Sequence, residues 1–465
     1  MFSEVKFGSL LFVLGHVCLT PSAVIWDENR DCPFSNPSCH CVNQFDIDCS
    51  GRNWPAVPKA HPVQWSYRVI NLRDNKFTTI HSNDFLNVNV SAILLDENSI
   101  SSIRDGAFNG LKNNLRLLDL ENNNLTYLPK ELETLNNLEY LDLRGNSIPS
   151  SEFNDTIMRK IGDYLTTFYF GHEQLDQWPT TIRHFQQLRQ LELRGGSMLE
   201  LPISAFQGFE WTLLELSIKN TKLISVPIAL QNMHSVHTFY FDDNTNVGDA
   251  GILAPAFAGM VKTLRTLTLE NDGLTDFPDI LLTLQEIQNL SLARNKLEFV
   301  SDASVQKIAS IKLTILNLKE CGLDRVPGAL SQLTSLQDLD LSNNRIFTIE
   351  GNDFQNLGHL INLTLNNNSV SYISDSSFRN LSALQKLEMK NTSLKVVPEA
   401  VRNIKTLDVL DLRSPQPMIE CICGTMTWLY HYFVQRHNFT IYGECETIEG
   451  GIENYARQRV PAYCV

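Results

Sequence analysis

The residues in this 465-residue chain best suited to chemistry are its ten cysteines. Four lie together in "CPFSNPSCHCVNQFDIDC": Cys32, Cys39, Cys41 and Cys49. Four more, Cys421, Cys423, Cys445 and Cys464, lie in the last 45 residues. Cys18 sits in an apolar N-terminal stretch, and Cys321 stands alone, its nearest neighbour in sequence being Cys421. Clustered cysteines hold zinc or form disulfides, whereas a lone one can be a nucleophile, half of an interchain bridge or a buried thiol. No histidine lies near Cys321, so no nucleophile–base pair is legible there. His172, His184, His234 and His237 are scattered without ligand spacing. We find no phosphate loop and no metal motif, so no catalytic residue, metal or cofactor is expected, and the chain reads as a non-enzyme.

The choice between zinc and disulfides depends on the compartment. The chain opens "MFSEVKFGSLLFVLGHVCLTPSAVIW", with Lys6 ahead of an apolar run from Phe7 to Leu19 and small residues at Ser22 and Ala23. This is a secretory signal layout over residues 1–23, and its removal would take Cys18 with it. No later stretch offers the roughly 20 apolar residues of a membrane span, and none of a lipid-anchor signal is read before "PAYCV". A secreted, extracellular protein is expected, and there thiols pair as disulfides. C-x-C is also poor zinc spacing. The charge of −14, from 52 acids against 38 bases, disfavours nucleic acid or an anionic membrane as partner.

The elements that must carry these residues repeat. "LRLLDLENNNL" (115–125), "LEYLDLRGNSI" (138–148), "IQNLSLARNKL" (287–297), "LQDLDLSNNRI" (336–346) and "LINLTLNNNSV" (360–370) all read L-x-x-L-x-L-x-x-N-x-L. Fifteen units can be phased on Asn75, Asn98, Asn123, Asn146, Glu173, Gly196, Thr221, Asn244, Asp272, Asn295, Cys321, Asn344, Asn368, Thr392 and Pro415, with steps of 23 to 28 residues. In "LEYLDLRGN" the leucines alternate with Tyr140, Asp142 and Arg144, the period-2 pattern of a strand with one buried face. The asparagine falls where the chain bends inward, and its amide can satisfy buried backbone groups between turns. Cys321 occupies that slot, which makes it a buried structural thiol, with an interchain bridge as the alternative. Six units place proline six residues after the slot, at Pro129, Pro179, Pro227, Pro278, Pro327 and Pro398, which disfavours long helices and predicts short 3₁₀ pieces. Longer units place phenylalanine on the convex side instead, as in "IEGNDFQNL". Glu173 and Gly196 interrupt the asparagine series, and the steps into Glu173 and Asp272 are enlarged.

These motifs resemble the extracellular leucine-rich repeat family over nearly the whole mature chain. The resemblance implies an α/β solenoid: a right-handed leucine-rich repeat horseshoe with a concave parallel β-sheet, about 15 repeats and disulfide-bonded caps at both ends. Exposed end repeats require such caps. The expected organisation is a signal peptide (1–23), an N-terminal cap (24–60), the repeat array (61–417) and a C-terminal cap (418–465). The family's pairing would be Cys32–Cys41, Cys39–Cys49, Cys421–Cys445 and Cys423–Cys464.

Such a fold offers a broad sheet whose outward residues, four and two before each slot, are free to vary. In the first half these include Asp119, Glu121, Asp142, Arg144, Tyr169, Glu192, Arg194, Lys219, Tyr240 and Asp242, a mixed strip with tyrosine and arginine anchors. Sequons at Asn89, Asn124, Asn154, Asn289, Asn362, Asn367, Asn380, Asn391 and Asn438 are candidate glycosylation sites. Those at Asn289 and Asn362 border the sheet and would obstruct the second half. The expected function is secreted binding of a protein or glycoprotein partner, such as a cell-surface receptor or a secreted enzyme, in recognition, adhesion or innate immunity. The alternative is a non-catalytic carrier or stabilising subunit of a secreted enzyme complex.

Overall fold

The computed structural model describes residues 39–42, 46–60, 66–309, 311–416, 418–436, 438–446 and 450–464. The signal segment 1–23, Cys18 and Cys32 fall outside these residues, as does the side chain of Cys41, and with them the Cys32–Cys41 pairing. The described residues form two compact units, one reaching residue 223 and including 227–236, the other comprising 224–226 and the described residues from 237 on.

The leucine alternation produces one short strand per repeat. In the first unit eight strands run parallel in chain order: β1 (Asp46–Asp48), β2 (Tyr67–Asn71), β3 (Val90–Leu94), β4 (Leu117–Asp119), β5 (Tyr140–Asp142), β6 (Thr167–Phe170), β7 (Gln190–Arg194) and β8 (Glu215–Lys219). In the second unit nine more do so, from β9 (Thr238–Asp242) through β10 (Thr266–Thr268) and their successors to β17 (Thr440–Tyr442). Every repeat phased in the sequence thus gives one strand to this parallel sheet; the C-terminal cap adds one more, and the N-terminal cap adds Asp46–Asp48 with the antiparallel His40–Val42 at its edge. Parallel strands need a crossover, and here each crossover is one turn of a solenoid.

The asparagine slots do what their amide chemistry predicts. Asn146 Nδ2 donates to Leu120 O of the preceding turn (2.8 Å) and to Leu143 O of its own (3.1 Å), while its Oδ1 accepts from Leu125 N (3.0 Å). Asn98, Asn123, Asn295, Asn344 and Asn368 repeat this arrangement. The residue before the slot is left-handed in almost every turn, from Asp74 (φ 51°) and Asn122 (φ 53°) to Asn391 (φ 53°). Short polar residues and glycine tolerate that conformation. Cys321 is fully buried and unpaired, and its Sγ donates to Leu292 O of the preceding turn at 3.3 Å, standing in for the amide.

Prolines shape the outer side. A 3₁₀ segment begins directly after each of the six: Lys130–Thr134, Thr180–His184, Ile228–Asn232, Asp279–Leu282, Gly328–Gln332 and Glu399–Asn403. The enlarged step before Glu173 holds helix α1 (Asp155–Gly162), whose N-cap Asn154 accepts from Ile157 N at 3.0 Å. The enlarged step before Asp272 contains 3₁₀ pieces instead, Asp249–Gly251 and Ala254–Met260. In the longer turns the phenylalanines are buried and stack between neighbours, as Phe354 does on Phe378 (6.1 Å) and Phe85 on Phe108 (6.0 Å).

Cys39–Cys49 closes the first described turn, and Cys421–Cys445 and Cys423–Cys464 tie the other end. There helix α2 (Cys423–Gln435) buries Met426, Leu429, Tyr432 and Phe433, and Tyr432 Oη donates to Ile404 O of the last proline turn at 2.6 Å. The cap thereby covers the apolar end of the array.

Two slot residues give predictions. Burial pushes the Cys321 thiol up to about 12, so the native protein should resist a thiol reagent at pH 8 and label at one site once unfolded, which mass spectrometry reads directly. Asp272 Oδ1 accepts from Asn244 N (2.9 Å), but its fully buried Oδ2 has no partner. Burial, reinforced by Asp242 and Asp243, raises its carboxyl to about 9. The folded state therefore holds a proton that the unfolded chain releases near pH 4. Relative to Asp272→Asn, wild-type stability should fall as pH rises from about 4 to about 9, by on the order of 1 kcal/mol per unit, in urea denaturation. Parallel curves would remove the protonated carboxyl.

Candidate binding surface of the first unit

Strands β4 to β8 bring most of the mixed strip together, but not as a row of exposed groups. Asp119, Glu121, Asp142, Arg144, Tyr169 and Glu192 are all buried. In β4 and β5 every residue is buried, so the one-sided alternation expected at "LEYLDLRGN" is lost. The reason is mutual shielding. Arg144 lies at the centre, its Nη1 2.7 Å from Glu192 Oε1, its Nη2 3.2 Å from Glu121 Oε2 and its Nε 2.9 Å from Asp142 Oδ1. Its Cζ stands 4.8 Å from the centroid of the Tyr169 ring, a cation–π distance. Tyr169 in turn meets Tyr140 edge-on, with centroids 5.5 Å apart.

Part of this chemistry is local. Asp142 Oδ1 accepts from the Arg144 backbone N at 3.0 Å, and Asp119 Oδ1 from Glu121 N at 2.9 Å. Asp340 and Asp411 do the same for Ser342 and Arg413. An aspartate at this position closes the end of its own strand, which is its reason for recurring.

Electrostatics follow from burial. Burial disfavours charge on Arg144, but Asp142, Glu192 and Glu121 outweigh it and hold the guanidinium above its ordinary range. Burial first, then Asp142 and Asp96, push the Asp119 carboxyl well up, and Asp142 is raised by burial against the opposing pull of Arg144. Carboxylate oxygens of Asp119, Glu121 and Asp142 lie within 4.8 Å of one another. Arg144 already supplies counter-charge to two of them.

Arg194 is the outward part of this network. Its Nη1 meets Glu121 Oε1 (3.2 Å) and its Nη2 meets Glu192 Oε1 (2.7 Å), while 42% of its side chain stays exposed. Lys219 is half-buried on β8. Tyr240 and Asp242 belong to β9 of the second unit, where Asp242 accepts from Thr268 Oγ1 at 2.6 Å. Of the sequons, Asn89, Asn124, Asn154, Asn367, Asn380, Asn391 and Asn438 are exposed, and Asn289 and Asn362 are half-buried on their strands.

Where the asparagine series breaks, a cavity opens. The left-handed residue comes one place early, at Gly171 (φ 116°), and Glu173 points to solvent. His172 makes the link between turns instead, its Nε2 donating to Ile148 O at 3.0 Å. A Cβ on Gly171 would stand 2.4 Å from Arg194 O, so no other residue fits there. The resulting cavity of about 310 Å³ is bordered by Arg144, Gly171, His172, Glu173, Arg194 and Gly195, among others.

Reading positions four and two before each slot missed Tyr140, which lies six before. That register also carries Val69, Ala92 and Leu117, and with Tyr169 these form a buried apolar cluster. The alternation in "LEYLDLRGN" places Tyr140 on the same face as Asp142 and Arg144, and the strip of positions four and two before the slot stops one strand position short of it. His172 gave no signal, because its role depends on the shifted turn.

The family described as "Leucine rich repeat" matches residues 88–148, 311–370 and 358–415. With the ladder, the sheet and the disulfides at both ends, this decides the family. The chain is a leucine-rich repeat protein with disulfide-bonded caps. This leucine-rich repeat chain is 26% identical to rat lumican over 313 residues, 65% of the chain and 85% of lumican. It is 30% identical to chaoptin of Tribolium castaneum over 235 residues, 49% of the chain but only 29% of that longer protein. A solved leucine-rich repeat protein of Leptospira interrogans superposes with a TM-score of 0.56 at 22% identity, covering 85% of this chain and 94% of that one. Among the described residues no helix is long and apolar enough to cross a membrane.

The network yields a contrast in stability. Arg144→Met leaves three buried carboxylates short of a counter-charge and should cost about 3 kcal/mol, whereas Arg194→Met, at the exposed edge, should cost under about 1 kcal/mol. Urea denaturation of the two variants measures the difference, and equal losses would mean that Arg144 is not the centre.

Proposed function

We propose that the protein is secreted and binds a protein or glycoprotein partner through the repeat surface of its first unit. The observation that carries this reading is Arg194, a guanidinium gripped by two carboxylates yet 42% exposed, at the edge of a 310 Å³ cavity. An arginine already fixed in place loses little conformational entropy when a partner docks. Lys219, on the next strand, extends the same edge. Disulfides at both described ends suit an extracellular site of action. No sequon falls between Asn154 and Asn289, so the repeats carrying Arg194 and Lys219 have no glycan acceptor of their own. The buried members of the strip, Arg144, Asp142 and Tyr169, then act by holding Arg194 and its strand rather than by touching the partner.

Affinity capture of the intact protein from extracellular fluid, followed by mass spectrometry, should return a stoichiometric companion. Arg194→Gln combined with Lys219→Glu should weaken that companion at least about tenfold, the scale of a charged hot spot, while the denaturation midpoint moves little. Retention of the companion at full affinity by the double variant would dismiss this surface.

A further inference from the structure

The cavity that Arg194 borders owes its space to three consecutive glycine turns. In five successive turns of the first unit the left-handed residue is Asn122, Gly145, Gly171, Gly195 and Asn220, and all five line the cavity of about 310 Å³. The outer two carry exposed asparagine side chains, whereas the middle three present bare backbone. None of the three has room for a side chain. A Cβ on Gly145 would run into Asn122, one on Gly171 into Arg194 O, and one on Gly195 into the backbone of His172. Part of the lining is therefore peptide backbone alone, a surface against which a flat group can lie closely.

Charge restricts the occupant. A carboxylate entering the cavity would meet Glu121 and Glu173 in its lining. A cation would meet Arg144 and Arg194 there, and both oxygens of Glu121 are already engaged, Oε1 by Arg194 (3.2 Å) and Oε2 by Arg144 (3.2 Å). A neutral group avoids both penalties. Arg194 then selects among neutral groups. Its hydrogen bonds to Glu121 and its contact with Glu192 use the edge of the guanidinium, so the face of that plane is what it offers to a ligand. The electron-rich face of an aromatic ring is the neutral surface that a guanidinium attracts most strongly. The same network already contains this pairing, in the 4.8 Å between Arg144 Cζ and the centroid of Tyr169.

We propose that this cavity receives one aromatic side chain of the protein partner, its ring against the Arg194 guanidinium and the bare backbone of the glycine turns. The proposal rests on the reading of this surface given above and names the group that docks there. The test is ligand-observed NMR on the full chain with the N-acetylated amides of tyrosine, phenylalanine, leucine, aspartate and lysine, which probe the cavity without the partner. The tyrosine or phenylalanine amide should bind saturably with a Kd below about 10 mM, and the other three at least about tenfold more weakly. Arg194→Lys keeps the charge but loses the plane, and should weaken the aromatic amide about tenfold. Gln174→Trp, at an exposed position of the lining, should fill the space and abolish binding while the urea midpoint moves little. No saturable binding by either aromatic amide, equal binding of the aspartate or lysine amide, or binding untouched by both variants would each overturn the proposal. Failure of the aromatic amides while Arg194→Gln with Lys219→Glu still releases the captured companion would dismiss the aromatic occupant and leave the surface standing. Retention of the companion by that double variant would dismiss both.

Discussion

The whole array depends on satisfying a backbone that bends inward. At the end of each strand the chain turns into the interior, and its carbonyl and amide groups lose water. Leaving one such group unpaired costs about 1–3 kcal/mol, and the problem recurs at every turn. The asparagine side chain resolves it because one short amide is both donor and acceptor. Asn344 shows the reach of a single residue: Nδ2 donates to Leu318 O and Leu341 O, and Oδ1 accepts from Cys321 N and Leu323 N. Each ladder residue is therefore shared by two turns. The closed seam, the stacked leucines and the parallel sheet share the same turns, so each ladder residue supports all three.

This explains why so much of the fold was legible. The seam imposes a residue type at a fixed spacing, the strand imposes a two-residue alternation, and proline six residues later imposes a short 3₁₀ turn. All three constraints are local or periodic, and all can be read along one line of sequence. The cap disulfides Cys39–Cys49, Cys421–Cys445 and Cys423–Cys464 are different. Spacing leaves their connectivity open, and only the family resemblance supplied a pairing.

The candidate surface was legible in its membership but not in its exposure. Arg144 looks like a solvent-facing strand residue when its own repeat is read, yet it is 4% exposed. Its burial is decided by Glu121, Tyr169 and Glu192, which lie between 23 and 48 residues away and on different strands. No periodic rule relates a side chain to the sizes and charges of its cross-strand neighbours. Exposure on a solenoid sheet is a property of a patch, whereas a motif describes a row.

The departures from asparagine separate into two outcomes that follow from what each substitute can donate. Cys321 keeps a donor, so Leu292 O still has a partner and its turn closes as its neighbours do. Asp272 keeps the acceptor, taking Asn244 N on Oδ1, but leaves Oδ2 buried without a partner, and burial raises its carboxyl to about 9. Glu173 and Gly196 provide neither function in two adjacent turns. There the left-handed residue shifts to Gly171, where a Cβ would collide with Arg194 O, and His172 makes the cross-link from a different position. The cavity opens at that defect, beside the guanidinium that the neighbouring carboxylates hold in place. A fold built from identical turns has no preferred site along its length. Loss of the ladder at Glu173 and Gly196 breaks that equivalence and makes one stretch of the first unit distinct from the rest.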